Sequence, residues 1–205
     1  MVTTVSPAKP ETVRSEAKRR QILEVAREIF LKEGYAAASM SAIATRLGGS
    51  KGTLYNYYRS KEEVFDALAD DGARRFRPIL HEAARHATDF ESYLRAGVRA
   101  YFDFIAGEQE SWRAERPANE TMPHARTTPE IQAVFEEVRG VFTNVIERGL
   151  APKVDVDFLT AAVIAVAREI GDKMMERRPI DVEAATEFVV RFALGGVASL
   201  PRVES

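Results

Sequence analysis

Apolar residues recur along this chain at intervals of three and four, and nowhere do they alternate over the length of a strand. Ile22, Val25, Ala26, Ile29 and Phe30 form one such stripe, predicting a helix over 15–33 with Ser15 as its N-cap and Gly34 as its stop. Two short helices follow, over 40–47 with Ser39 as cap and over 51–58 with Ser50 as cap, separated by Gly48-Gly49. Ser60 and Glu63 have capping-box spacing and open a longer helix. It should reach Arg77, where Pro78 kinks or ends it by removing a backbone donor. Further helices are expected over 90–107, 129–148, 158–177 and 182–199. Residues 111–128, with Pro117, Asn119 and Pro123, read mostly as loop, and 1–14, with Pro7 and Pro10, as a flexible arm. The class is therefore all-α.

The chain has 205 residues, enough for one medium domain or two small helical ones. It has no cysteine, which excludes disulfides and thiolate-held metals. The N-terminal twenty residues hold no apolar run of signal-peptide type. The longest apolar stretch, 158–167, is short of the roughly 18 residues that a membrane span needs. The expectation is a soluble, cytoplasmic protein without contact to membrane.

Net charge is only −2, but it is unevenly placed. Residues 1–61 carry 11 Lys/Arg against 5 Asp/Glu, while 62–205 carry 18 against 26. That asymmetry suits a basic reader of nucleic acid joined to an acidic body.

The two short helices, joined by a glycine turn and braced by a longer helix on each side, have the pattern of a helix-turn-helix. Ile43, Ala44 and Leu47 of the first would turn inward, and the second is short enough for its N-terminal end to enter a major groove. Between Ser50 and Lys61 stand hydroxyls, an amide and cations, and no acid. Such groups suit phosphate oxygens and base edges. Only Leu54 and Tyr58 look committed to the core.

Gly34-Tyr35, Ser39, Ile43-Ala44 and the run from Ser50 through Lys51, Gly52, Thr53, Leu54, Tyr55, Asn56, Tyr57, Tyr58, Arg59, Ser60 and Lys61 to Glu62 resemble the DNA-binding domain of TetR-family regulators. The resemblance covers about residues 15–75. It implies that Ser39 and Ser41 approach the DNA backbone. Lys51, Gly52 and Asn56 become the candidates for base contact, and Thr53, Tyr55, Tyr57 and Lys61 for phosphate contact, with Ser50 at the helix start. Lys18, Arg19 and Arg20 extend the electrostatic footprint. Gly49 departs from the small apolar residue frequent in the family, and Tyr58 from its phenylalanine. Neither change removes a DNA-contacting group.

For residues 76–205 the resemblance implies a helical body for ligand binding and dimerisation. Tyr101, Phe104, Trp112 and Phe135 are its candidates for lining a cavity that takes a small, apolar effector. The last two helices are rich in apolar and small residues, which permit close packing. Phe158, Ala162, Val166, Phe188 and Phe192 are the candidate dimer contacts, with an intramolecular core as the alternative. The whole implies a homodimer on a pseudo-palindromic operator in double-stranded DNA, acting as a ligand-responsive repressor, with the Arg77-Pro78 region as a candidate lever.

No enzyme signature is present: there is no phosphate loop, nucleophile elbow or cofactor glycine fingerprint, and no cofactor is expected. His81 and His86 lie five positions apart, so on a helix their rings point about 140° from each other and do not share a metal. The competing reading is a helical small-molecule binder whose basic end is incidental. A second is an all-helical enzyme using the body's cavity, although no residue nominates a catalyst.

Overall fold

The computed structural model describes residues 10–111, 128–200 and 202. They form eight α-helices and no strand among the described residues: α1 (Pro10–Glu33), α2 (Met40–Arg46), α3 (Lys51–Tyr55), α4 (Lys61–Arg85), α5 (Phe90–Ser111), α6 (Pro129–Glu147), α7 (Val156–Met175) and α8 (Val182–Ser199). Packing divides the chain into two compact units, one ending at Leu68 and the other beginning at Ala69.

In the first unit, α1, α2, α3 and the start of α4 close around Ile22, Ala26, Ile43, Leu54, Tyr58 and Val64, all buried. The helical stripe expected on α1 is this core face. Helix α1 starts at Pro10, so residues 10–14, expected within the arm, are helical and Ser15 is an interior residue. Proline is well suited to a first helical turn, where its missing N–H has no partner to lose. Read as punctuation, it conceals the helix it opens. Residues 1–9 lie outside the described residues.

The turn between α2 and α3 needs only one of its two glycines. Gly48 has φ +65°, the left-handed region. Gly49 has no positive φ, and a Cβ there would meet nothing within 4 Å. Gly48→Ala is therefore expected to destabilise the first unit by about 1 kcal/mol, whereas Gly49→Ala is neutral or stabilising by up to about 1 kcal/mol. Paired thermal melts check this, and equal losses at both positions would contradict it.

Helix α3 ends at Tyr55, with Asn56 as its C-cap, earlier than the expected Tyr58. The Leu54 carbonyl accepts from both the Tyr57 and Tyr58 N–H groups (3.0 and 3.1 Å), tightening the last turn before Ser60 caps the next helix. Ser60 does so, its hydroxyl accepting from the Glu63 N–H at 3.2 Å. Glu63 returns its carboxylate one residue further out than a regular capping box, to the Arg59 N–H.

In the second unit, α5 packs on α8, and α7 on both α6 and α8. Phe102, Phe142, Leu94, Val189 and Val190 are fully buried there. Helix α4 does not end near Arg77 but runs through Pro78 to Arg85. The backbone bond that proline forfeits is offset on either side. Phe76 and Leu80 are buried, and Arg77 pairs with Glu130 of α6 at 3.5 Å. Gly171 of α7 packs tightly on α5: a Cβ there would lie 2.9 Å from the Ile105 side chain and 3.2 Å from Phe102. Arg95 and Arg99 of α5 pair with Glu187 and Glu183 of α8 on the surface. Residues 112–127, expected as loop, lie outside the described residues.

Candidate nucleic-acid interface

Two serine caps set the reader. Ser39 Oγ accepts from the Ala42 N–H at 3.1 Å and starts α2, and Ser50 Oγ accepts from the Thr53 N–H at 3.2 Å and starts α3. Leu54 and Tyr58 anchor α3 to the core, 1% and 5% exposed, which points the rest of the helix outward. Lys51, Gly52, Thr53, Tyr55 and Asn56 are exposed, Tyr57 is half-buried and Ser41 partly covered. The face they form carries hydroxyl, amide, amine and backbone N–H groups at a helix N-terminus, with no acid between Ser50 and Lys61. A phosphate oxygen or the acceptor edge of a base is the chemical complement of such a face. The Arg46–Glu28 pair (3.2 Å) ties α2 to α1 behind it.

Lys61 is more engaged than its sequence position suggests. Its Nζ donates to the Tyr35 carbonyl at 2.7 Å and to the Ala36 carbonyl at 3.3 Å, and lies 4.3 Å from the centre of the Tyr35 ring. The Tyr35 ring packs against Phe30 and Phe65 (5.4 and 5.3 Å between centroids), and its hydroxyl donates to Glu62 at 3.1 Å. Burial first, then the Glu62 carboxylate, pushes the phenol up to about 12, so it remains a donor at physiological pH. Glu62 is held below the usual carboxylate range by its own backbone N–H, the Ser60 hydroxyl and this phenol. This clamp between the end of α1 and the start of α4 was not read from the sequence. Its only signal there is Tyr35 directly after the Gly34 stop.

The clamp changes what removing Lys61 does. We expect Lys61→Ala to loosen the turn as well as delete a cation, lowering first-unit stability by roughly 1–2 kcal/mol. Its DNA affinity should fall on every sequence, with a salt dependence flatter by about one phosphate. Melts and salt titrations separate the two losses; an unchanged melt would show the clamp to be inconsequential.

On the second unit, α7 and α8 present apolar side chains outward. Phe158, Phe188 and Phe192 are 77%, 56% and 58% exposed, with the latter two rings stacked at 6.3 Å. Ala161, Ala162, Ala165, Gly195 and Gly196 are exposed between them, and Val166 is half-buried. Phe158, Ala162, Val166, Phe192 and Gly196 line an apolar groove of about 510 Å³. Val163, Val189 and Val197 are buried at the floor of the same groove and belong to the unit's own core. Both helices are apolar on two sides.

Of the aromatic cavity candidates among the described residues, two meet in one cluster and one does not. Tyr101 and Phe104 close on Phe76 at 5.6 and 5.5 Å. Arg75 lies 5.5 Å from the Phe104 ring and holds Glu108 through its two terminal guanidinium nitrogens. Burial, with Asp172 nearby, pushes the Tyr101 phenol up to about 12. Phe135 is half-buried on α6, outside that cluster, and Trp112 lies outside the described residues. No group of three or more metal-ligating side chains occurs among the described residues. No described helix is long and apolar enough to cross a membrane.

Residues 22–68 match the family model of bacterial regulatory proteins, tetR family, the segment that carries α2, α3 and the first unit's core. Along 192 residues the chain is 29% identical to the HTH-type transcriptional activator FasR of Mycolicibacterium smegmatis, covering 93% of this chain and 87% of FasR. The fold is that of the fatty acid degradation regulator FadR from Bacillus halodurans, with a TM-score of 0.69 at 22% identity over 94% of this chain and 98% of that one. It is also that of FadR from Bacillus subtilis in complex with stearoyl-CoA, with a TM-score of 0.66 at 20% identity over 87% and 98% of the two chains. The matched relatives are regulators of transcription and not enzymes. Residues 22–68 carry the helix-turn-helix domain of the tetR family, and the all-helical chain as a whole is similar to transcriptional regulators of that family.

Proposed function

We propose that the chain is a ligand-responsive regulator that binds a pseudo-palindromic operator as a homodimer. Residues 15–75 act as the reader, and residues 76–205 as the sensing and dimerising body. The observation that carries this is the exposed, acid-free face of α3 opposite the buried Leu54–Tyr58 anchor. Lys51, Gly52 and Asn56 contact base edges, while Ser39, Ser41, Ser50, Thr53, Tyr55, Tyr57 and Lys61 face the phosphates and orient the helix. The exposed phenylalanines of α7 and α8 support dimerisation, because an apolar patch of this kind on a water-facing surface calls for a partner. Two-fold symmetry then sets two readers on successive turns of one DNA face.

The effector is a small molecule with a long apolar part. A long-chain acyl thioester is the class favoured by the stearoyl-CoA in the Bacillus subtilis FadR structure. It acts by binding the DNA-free state more tightly than the DNA-bound state, since equal affinity for both shifts nothing. Repression results where the operator overlaps a promoter. FasR is an activator, so operator position rather than fold sets the direction of control. A protein with this task works beside the chromosome, in the cytoplasm.

Capture of genomic DNA fragments by the purified chain tests the reading. A recurring inverted repeat is expected, released by stearoyl-CoA. Asn56→Ala should change the base preference at one position of each half-site, costing roughly 1–3 kcal/mol there. Capture without any shared sequence would favour a helical small-molecule binder with an incidental basic end, and an unchanged consensus would remove Asn56 from the base-reading set.

A further inference from the structure

Helix α3 has only five residues, and its last aromatic pair stands beyond its end. A reader this short needs bracing from outside. Arg19 of α1 supplies a contact there: its guanidinium carbon lies 5.6 Å from the centre of the Tyr57 ring and 5.9 Å from that of Tyr58. Neighbouring polar side chains are engaged elsewhere, Lys18 with Gln21 and Arg46 with Glu28. Arg19 is exposed, and among the described residues no carboxylate pairs with it. A guanidinium over an aromatic face keeps its N–H donors at its edge, in the ring-parallel or tilted geometry that a lysine cannot adopt.

We propose that Arg19 is a positioning residue of the reader: seated on Tyr57 and Tyr58, it holds the end of α3 to α1 and offers its unpaired donors to a DNA phosphate. This goes beyond a general basic footprint, because it makes the arginine's action depend on the tyrosine beneath it. It rests on the operator reading above. The predicted consequence is that charge alone does not suffice at this position, and that Arg19 and Tyr57 act as one unit.

The test uses full-length protein and the duplex recovered from the capture experiment, with affinity measured by fluorescence anisotropy over a salt series. Arg19→Met should weaken binding roughly tenfold and flatten the salt slope by about one. Arg19→Lys should keep the slope yet lose roughly fivefold. In a Tyr57→Leu background, Arg19→Met should cost less than half of its effect in the wild type. Independently of DNA, the Tyr57 ring-proton resonances of the free protein should shift on Arg19→Met, while helicity stays unchanged and the melting temperature falls by only about a few degrees. A lysine variant equal to wild type, equal Arg19→Met losses in both backgrounds, or unmoved Tyr57 resonances would each overturn the proposal. If wild-type protein captures no duplex, the operator reading falls, and the resonance shift still decides the stacking.

Discussion

Phe192→Glu is expected to yield a folded chain that sediments as a monomer and loses at least a hundredfold in operator affinity. The side chain is 58% exposed and stacks on Phe188, so glutamate disturbs little within one chain. In a two-fold interface the same residue enters twice. Burying a phenylalanine contributes about 1.5–3 kcal/mol, so two copies amount to roughly 3–6 kcal/mol before the cost of setting two carboxylates in an apolar groove. A monomer retains one half-site and forfeits the avidity of the second. Sedimentation velocity at micromolar concentration, alongside anisotropy on the operator duplex, reads both effects. Wild-type protein that already sediments as a monomer would remove the α7–α8 face from the account.

Leu54→Ala and Tyr55→Ala, adjacent on α3, should fail in opposite ways. Leu54 is 1% exposed among Ile22, Ile43 and Val64, and truncating it is expected to destabilise the first unit by about 2–5 kcal/mol. Stabilities of small domains are of that order, so much of the reader should unfold. Tyr55 is 48% exposed, and its loss should leave the melt within about 0.5 kcal/mol while weakening DNA binding. Hydrogen exchange localises the first effect, with protection lost over residues 22–68 and kept in α5, α7 and α8. Loss of protection throughout the chain would contradict the division into two units.

Local chemistry made much of the reader legible in the sequence. Ser39, Ser50 and Ser60 cap α2, α3 and α4 where hydroxyls before apolar-periodic segments predict, and the stripe from Ile22 to Phe30 is the buried face of α1. Errors arose where tertiary contacts override a local rule. Pro78 sits inside a continuous α4 because buried Phe76 and Leu80 and the ion pairs beside them hold the helix on both sides. Pro10 is a different case, a local rule misapplied: it opens α1, where a first-turn proline loses no bond, instead of marking an arm. The Lys61–Tyr35 clamp joins residues 26 positions apart, and no periodicity reports such a pair. The last two helices showed a different limit: apolar on two sides, they gave a pattern in which Val163 and Val189, which face the unit's own core, could not be separated from Phe158 and Phe188, which face out.

The claim that this chain reads DNA sequence through α3 as a dimer meets its most direct test in selection from a random duplex pool, followed by sedimentation of the recovered complex. The account predicts enrichment of an inverted repeat bound by two or more chains in even number, with enrichment lost on Phe192→Glu. A recovered pool no different from the input, or a single chain on each duplex, would contradict it.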